Sequence, residues 1–492
     1  MFRRWTVLCA AAATLPFLAV SPAHAQAGSP AGGMTPASSY SQQGPSLSVP
    51  TPSMPSMENA YSGSVPAKLV PGVLKISLQD AIQRGLRNNL GLLLAGQNRR
   101  VAQGQRWQEL SRLLPNLNAS SYIDDSKVDV AEFGFTGFPG IPSVVGPFAY
   151  FDARAYLTQS VFDWQSLNNE RAAGENVKVA QYTYKDARDL VVLAVGYSYV
   201  QAIADKATVS ATTAQVNTAN ALYQQASDQV NAGTSPSIDG LRAKVELQTQ
   251  QQLLIQAKND LAIQKLNLAR TIGLAPGQQY ELTDNTPYQP LTGLTVDEAL
   301  KQAYASRSDY QAALAGVRAA EDSKRAARAG YWPSLSFNAD YGLAGTYPNV
   351  STHGIFDVRG TLTVPIFQGG RVHADVMQAD AQLQQSRDRV DNLHAQIDSE
   401  VRTALLNLQS AEQRVTVAQS NVGLAEQTLS QARDRFAAGV TNTVEVVQAQ
   451  EEVARAHQQY ISSLYLDNYA KISLARALGV AETGVKQYFE EK

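Results

Sequence analysis

Two regions of the chain alternate apolar and polar residues with a period of two, which is typical of strands with one apolar and one polar face. In the later region, residues 335–343 form one run and residues 358–366 a second. In the earlier region the alternation is clear over residues 153–161, with Gln159 as an exception, and weaker over residues 117–123. The pattern therefore predicts four short strands in two pairs.

Each pair of strands is followed by a long stretch rich in Ala, Gln, Arg, Glu, Leu and Val, over residues 162–232 and again over 367–438. No proline interrupts either stretch. At a rise of 1.5 Å per residue, a helix of roughly 70 residues reaches about 100 Å, too long for one globular core. Apolar residues of the second stretch step by three and four, as a helix needs to coil against neighbours: Val390, Leu393, Ile397, Val401, Leu405 and Leu408.

The sequence contains an internal repeat of two copies. Ile76–Ile82 matches Leu294–Leu300 and Leu114–Leu117 matches Trp332–Leu335, both at an offset of 218 residues. Farther on, Phe151-Asp152-Ala153-Arg154 matches Phe356-Asp357-Val358-Arg359 at an offset of 205. The first copy thus carries 13 extra residues, which predict a longer loop over residues 133–147. The repeats are assigned to residues 73–280 and 281–480, and residues 481–492 to a C-terminal tail.

Capping residues predict where the helices of each copy begin and end. Ser77 and Thr295 precede acidic residues and are predicted N-caps of one helix per copy, which Pro115 or Pro333 ends. After each long helix, a glycine turns the chain at Gly233 and Gly439, and a second helix returns to Gly273 and Gly479.

The first residues predict export from the cytoplasm. Arg3 and Arg4, an apolar run and Ala23-His24-Ala25 have the form of a signal peptide over residues 1–25. Its removal would take away Cys9, the only cysteine, so neither a disulfide nor a lipid anchor on cysteine is expected. Residues 26–72, rich in Ser, Pro, Gly and Ala, are predicted to be a disordered leader.

Composition and motifs argue against several functions. The net charge is −2 and 17% of residues are charged, so no nucleic-acid partner is expected. The five histidines have no metal-ligand spacing, and no glycine-rich phosphate loop occurs. The sequence therefore predicts no cofactor, no metal and no enzymatic activity. After the signal peptide no apolar run reaches about 18 residues, so any membrane crossing is expected to use strands.

Four strands cannot close a barrel, and open sheet edges are not tolerated in lipid. Three chains of four strands would give a barrel of about 12 strands, within the known range. The predicted fold is a membrane α/β trimer: a shared barrel continued by a coiled-coil barrel of long helices. Each repeat then runs helix, strand, strand, long helix, helix.

Several motifs in this order resemble the TolC-like outer membrane efflux family. They are Leu-Gln-Asp-Ala from Leu78, Val-Asp-Glu-Ala from Val296, Leu-Pro-Asn-Leu from Leu114, Trp-Pro-Ser-Leu from Trp332 and the strand-to-helix turn with Pro365, Phe367, Gly369 and Gly370. The first copy departs at this turn, with Ser160 for the proline and Asp163-Trp164 for the glycines. The resemblance implies a homotrimer in the outer membrane that joins a periplasmic adaptor and an inner-membrane transporter and exports passively.

The resemblance also suggests sites at the periplasmic helix tips. Phe436, Gly439, Val440 and Thr441 resemble the family's turn, with Gly233 and Thr234 in the first copy, and imply adaptor docking. Asp239 and Glu445 occupy matching positions and imply a negatively lined aperture. The alternative is that the glycines are only helix C-caps and the acids only favour the helix dipole. Thr441 and Asn442 stand where some members carry a latching arginine, and Arg242 and Arg435 are possible substitutes.

Other functions stay open at this point. Small-molecule or drug efflux is the first expectation, and a type I secretion channel for polypeptides is the alternative within the same class. A periplasmic coiled-coil adaptor, a diffusion porin and a secreted enzyme are alternatives from other classes. The adaptor would need lipoyl-like β segments, the porin many more strands, and the enzyme a convergent set of titratable groups.

Overall fold

A computed structural model describes residues 61–134, 140, 142–284, 288–291, 293–347 and 352–489. The predicted signal peptide and residues 26–60 of the predicted leader lie outside the described residues. The strands are β1 (Leu74–Ile76), β2 (Asn116–Asp129), β3 (Val144–Phe162), β4 (Tyr280–Leu282), β5 (Ser334–Tyr347) and β6 (His353–Thr363). The α-helices are α1 (Leu78–Asn88), α2 (Leu90–Ser111), α3 (Trp164–Asn231), α4 (Ser237–Ile272), α5 (Val296–Ser306), α6 (Ser308–Ala329), α7 (Arg371–Ala437), α8 (Thr443–Ala477) and α9 (Ala481–Phe489).

The elements from α1 to α4 recur in the same order from α5 to α8. The helices α1 and α5 have 11 residues each, and α2 and α6 have 22. The strands β2 and β5 have 14 residues each, and the long helices α3 and α7 have 68 and 67. The strands β3 and β6 differ, with 19 and 11 residues.

Both predicted helix starts are confirmed. Ser77 and Thr295 are N-caps, each in a capping box with the acidic residue three positions later. The prediction of one unbroken helix up to the proline was wrong. Extended residues separate α1 from α2 at Asn89 (ψ 126°) and α5 from α6 at Arg307 (ψ 120°). Both side chains are buried. Asn89 caps α2 by accepting from the Leu92 N–H (3.3 Å) and also donates to the distant Tyr61 carbonyl. Arg307 binds the nearby Asp309 and the distant Glu400, so local and distant contacts act together at both breaks.

The four predicted strands form one antiparallel sheet in the order β2-β3-β5-β6. The parallel pair of β1 and β4 is separate. The strand β2 runs on to Asp129, beyond the predicted residue 123, while β6 ends at Thr363, so the expected strand positions Val364 and Ile366 lie past it. The sheet register places Arg154, Asp340 and Asn338 on one face with Asp357 and Arg359, as the alternation predicted.

The predicted loop over residues 133–147 is shorter than expected. Phe133 ends a 3₁₀ helix (Val130–Phe133), and β3 already begins at Val144. The extra residues of the first copy therefore partly lengthen strands, because β2 and β3 pair from Asn116 to Asp129. Residues 135–139 and 141 lie outside the described residues.

The two long helices are confirmed, and each pairs with the helix that follows it in a long hairpin, α3 with α4 and α7 with α8. The predicted apolar stripe of α7 supplies part of a core, in which Ile397 and Val401 are fully buried against Leu474 of α8 and Ala299 of α5. None of the helices among the described residues is both long and apolar enough to span a membrane.

The leader prediction, which ran to residue 72, fails for its last part. Residues 61–72 are held by specific hydrogen bonds: the Val65 N–H donates to the Asn88 carbonyl (2.8 Å) and the Ala67 N–H to the Gly273 carbonyl (2.9 Å). The Asn89 side chain donates to the Tyr61 carbonyl (2.5 Å). Backbone bonding does not depend on side-chain type, so a polar composition did not reveal it.

The C-terminal tail prediction also needs correction, since residues 481–489 form the helix α9. Ala481 and Val485 are fully buried in it. The guanidinium of Arg188 on α3 binds both carboxylate oxygens of Glu482, at 3.0 and 2.7 Å. Residues 490–492 lie outside the described part of the chain.

Candidate functional site: the helix tips and the strand ends

Two similar turns connect the helices of the hairpins. Gly233 and Gly439 adopt the left-handed conformation, with φ of 72° and 69°. The following N–H groups donate back into the long helices, Thr234 to the Gln229 carbonyl and Val440 to the Arg435 carbonyl, both at 2.9 Å. These bonds complete Schellman-type C-caps and satisfy carbonyls at the helix ends. The predicted capping role of both glycines is confirmed.

The two acids at matching positions lie in different surroundings. The Asp239 side chain is 9% exposed and lies 3.6 Å from the guanidinium of Arg242, one turn along α4. The Glu445 side chain is 38% exposed and lies 3.1 Å from Arg435 at the end of α7. Thr441 also donates to Glu445. Both candidate arginines are thus bound to acids within the chain, and the Arg435 pair links the two helices of the second hairpin.

A buried polar group on α4 escaped the sequence prediction. Glu246 and Gln250 are both buried, and the Gln250 amide donates to the Glu246 carboxylate at 2.8 Å. Burial raises the pKa of Glu246, and the charge of Glu451 on α8 raises it further, although Gln250 opposes the shift. The spacing of four residues was the one available signal, because it places both side chains on one helix face.

The predicted docking residues differ in their exposure to solvent. Val440 is 69% exposed, Gly233, Thr234 and Gly439 are exposed, and Thr441 is half-buried. Phe436 is only 5% exposed and packs in a cluster with Leu429 and Val446, so it does not offer a docking surface in this chain. The cluster also contains residues of α3 and α4, so Phe436 contributes to the packing of both hairpins.

The strand-to-helix turns of the two copies differ, as the sequence predicted. In the second copy Gly369 and Gly370 have positive φ (60° and 83°), and Pro365 and Phe367 precede them with the Phe367 ring exposed. In the first copy α3 starts almost directly after β3. Asp163 replaces the glycines there and caps α3, since its carboxylate accepts from the N–H groups of Gln165 and Ser166, both at 3.0 Å.

Charged side chains are paired on the polar face of the sheet. The Arg154 guanidinium of β3 binds Asp152 at 2.5 Å on its own strand and Asp340 at 3.3 Å on β5. On β6, Arg359 binds Asp357 at 2.8 Å. The opposite face carries exposed apolar side chains, among them Tyr341, Leu343, Phe356, Val358 and Leu362. A sheet with one polar and one apolar face is typical of membrane strands that contact water on one side and lipid on the other.

Titratable side chains do not form a metal site in the part of the chain that the structure describes.

Comparison with known proteins gives one family. The sequence pattern of the outer membrane efflux protein family matches residues 81–274 and 299–480. The outer membrane protein TolC of Escherichia coli K12 is 24% identical over 349 residues, covering 66% of this chain and 69% of TolC. The cation efflux system protein CusC of the same strain is 26% identical over 229 residues, covering 46% of this chain and 48% of CusC.

A similar fold occurs among solved structures. The outer membrane protein VceC of Vibrio cholerae superposes with a TM-score of 0.70 at 19% identity, over 82% of this chain and 96% of VceC. At this identity the likeness concerns the fold alone.

Proposed function

Because this chain belongs to the outer membrane efflux protein family, we propose that it is the exit duct of a tripartite efflux pump. The protein is an outer membrane efflux channel with a long periplasmic helical part. The proposal adds that cargo passes unchanged from an inner-membrane transporter and a periplasmic adaptor to the exterior.

One observation carries the proposal: two strands of a four-stranded sheet, β3 and β6, lead through short turns into helices of 68 and 67 residues. Each helix reaches about 100 Å at 1.5 Å per residue, enough to extend well beyond a membrane into the periplasm. The exposed edges of β2 and β6 need partners in lipid. Three protomers would supply them and close a 12-stranded barrel, with six helical hairpins below it.

The helix tips are the proposed periplasmic end. Their exposed residues, Gly233, Thr234, Gly439 and Val440, are the surface we propose for the adaptor, with Thr441 at its edge. Asp239 and Glu445 are the acids we propose near the aperture. Because Arg242 and Arg435 pair with them, the charge they present is weaker than six free carboxylates would give.

For the cargo we propose small molecules, including drugs. CusC is named for cation efflux, and a type I secretion duct for polypeptides is the second candidate within the family. The family match lends no support to the alternatives of a periplasmic adaptor, a porin or a secreted enzyme.

The proposal is tested by assembly, topology and conduction together. The full chain, purified from outer membranes in detergent, should be a trimer and form ion channels in a planar bilayer. An epitope inserted near Gly140 should be reachable on intact cells, and one near Ser235 should not. A monomer with full β content, or the reverse labelling pattern, would contradict the proposal. Cargo is tested by drug accumulation in the host with and without the gene.

A further inference from the structure

In the part of the chain that the structure describes, the outer edges of the four-stranded sheet, on β2 and β6, pair with no further strand. Side chains of the edge strands β2 and β6 are almost all exposed, while the central strand β3 is partly buried. Arg359 on β6 is 69% exposed, whereas its counterpart Arg154 on β3 is 24% exposed. When three chains close a barrel, the edge strands of neighbouring chains must pair. The internal repeat predicts the register of this pairing.

The two strand hairpins of the sheet, β2 with β3 and β5 with β6, have equivalent registers. Each β5 residue corresponds to the β2 residue 218 positions earlier, and each β6 residue to the β3 residue 205 positions earlier. Asn116 pairs with Thr158, and the corresponding residues Ser334 and Thr363 are also paired. Ser120 pairs with Arg154, and the corresponding Asn338 and Arg359 are paired as well. The same offsets thus preserve the strand register.

The chain also contains one junction between copies, where β3 pairs with β5. In a ring of alternating copies, the junction between protomers joins β6 to the β2 of the next chain and is equivalent to β3 with β5. In the internal junction Arg154 lies opposite Gly342 and Tyr156 opposite Asp340. Transferring these pairs by the two offsets gives Arg359 with Asp124 and Thr361 with Tyr122.

We propose that β6 pairs antiparallel with β2 of the partner subunit in this register, so that Arg359 lies directly opposite Asp124 of the partner subunit and forms an ion pair across the seam. This inference rests on the proposed trimeric channel and specifies how its subunits join.

The side chains at the two junctions fit this pairing. Arg154 reaches the carboxylate of Asp340, which lies diagonally across the internal junction, because Gly342 leaves the position opposite it empty. At the seam, the residue corresponding to Asp340 is Tyr122, which cannot neutralise an arginine. The carboxylate stands instead at the position of Gly342, as Asp124. The arginine is therefore matched in both junctions, by a different residue each time.

Disulfide crosslinking tests the register. Cys9 is the only cysteine of the sequence, so introduced cysteines are unambiguous. Residues directly opposite each other on antiparallel strands alternate between a closer and a wider Cα separation, and only the suitable one allows a disulfide. Two successive pairs are therefore tested, one on each face of the sheet: Thr361→Cys with Tyr122→Cys, and Leu362→Cys with Ser121→Cys. At least one should give covalent dimers and trimers on oxidation. The edge strands lie on opposite sides of the sheet, so these bonds can form only between chains.

The control pair is shifted by two residues, Thr361→Cys with Ser120→Cys, together with each single variant. These should not crosslink. Crosslinking of the shifted pair, with none from the two proposed pairs, would overturn the register while the trimer stood. A conducting trimer without crosslinks from the proposed pairs would do the same. A monomer without channels would instead count against the proposed function.

Charge exchange tests the ion pair. Arg359→Glu should lower the temperature at which the detergent trimer dissociates, and adding Asp124→Arg should restore most of the loss. Adding Asp125→Arg should not, because the neighbouring residue points to the other face of the strand. Equal rescue by both second variants, or rescue by neither, would show that Arg359 forms no ion pair with Asp124 of the partner subunit.

Discussion

Arg435 at the end of α7 and Glu445 at the start of α8 form an ion pair of 3.1 Å across the turn of the second hairpin. Thr441, within the turn, donates a hydrogen bond to the same carboxylate. In the first hairpin the matching acid, Asp239, binds Arg242 on its own helix, at the longer distance of 3.6 Å. The two tips thus share a backbone turn and differ in what holds the acid.

This difference leads to a prediction about ion selectivity. The Asp239→Ala, Glu445→Ala double variant should show weaker cation preference and less block by multivalent cations, because it removes carboxylates from the proposed aperture. Arg435→Ala should act in the opposite direction, since it exposes the charge of Glu445. Single-channel recording in a planar bilayer measures both. If selectivity and block are unchanged in every variant, these acids only favour the helix dipole, and the aperture lies elsewhere.

A second prediction concerns residues 61–72. A variant that lacks residues 26–60 should keep the stability of the full protein, whereas one that also lacks 61–72 should lose about 3 kcal/mol. The further deletion removes the bonds to Asn88, Asn89 and Gly273, at about 1 kcal/mol for each hydrogen bond. Thermal unfolding followed by circular dichroism measures the change. Equal stability of the two variants would show that the segment only rests on the surface.

A third prediction uses two glycines of the sheet. A Cβ at Gly342 would lie 2.1 Å from the Ala153 carbonyl oxygen and 2.6 Å from the Arg154 Cα. Because both are backbone atoms of the central strand β3, Gly342→Ala should disrupt strand pairing and sharply reduce folded protein in the outer membrane. Gly360→Ala is the matched control, since nothing lies within 4 Å of its Cβ. Heat-modifiable mobility on gels reports folding, and similar yields of both variants would contradict the argument.

A fourth prediction concerns pH. Asp189 on α3 is buried, and the backbone of Glu482 on α9 favours its charged form. Burial, with a contribution from Asp186, raises the pKa of Asp189 from 3.8 to about 6, although Arg476 opposes the rise. The folded protein therefore binds this proton more tightly than the unfolded chain. Its contribution to stability is greatest at low pH and falls as the pH rises from about 4 to about 6.

Asp189→Asn should accordingly stabilise the protein near pH 7.5, by up to about 3 kcal/mol, and change little near pH 4. Asp309→Asn is the control variant, for which we expect a change in stability of the opposite sign. Although burial opposes it, Arg307 lowers the pKa of Asp309, so its loss should destabilise the protein near pH 7.5. Thermal unfolding at both pH values checks the pair. A destabilising Asp189→Asn near pH 7.5 would show that the favourable interaction of the carboxylate with α9 outweighs the cost of burying the charge.

Local features of the sequence determined the elements of this protein. The capping residues Ser77 and Thr295, the turn glycines Gly233 and Gly439 and the long proline-free stretches act on a few neighbouring residues, so their effects can be predicted without a fold. Alternation alone identified the polar face of the sheet, because side chains of a strand point to opposite faces in turn. The matched offsets of the two copies then indicated a repeated unit.

Only the tertiary structure decided which residues meet. It buried Phe436 in a cluster of four helices, bound residues 61–72 beside Asn88, joined Arg307 to Glu400 and paired Arg435 with Glu445. Each of these contacts joins residues that belong to different helices or segments of the chain. Their burial and charge depend on how the helices pack against one another, and packing is a property of the assembled elements that no local window of sequence contains.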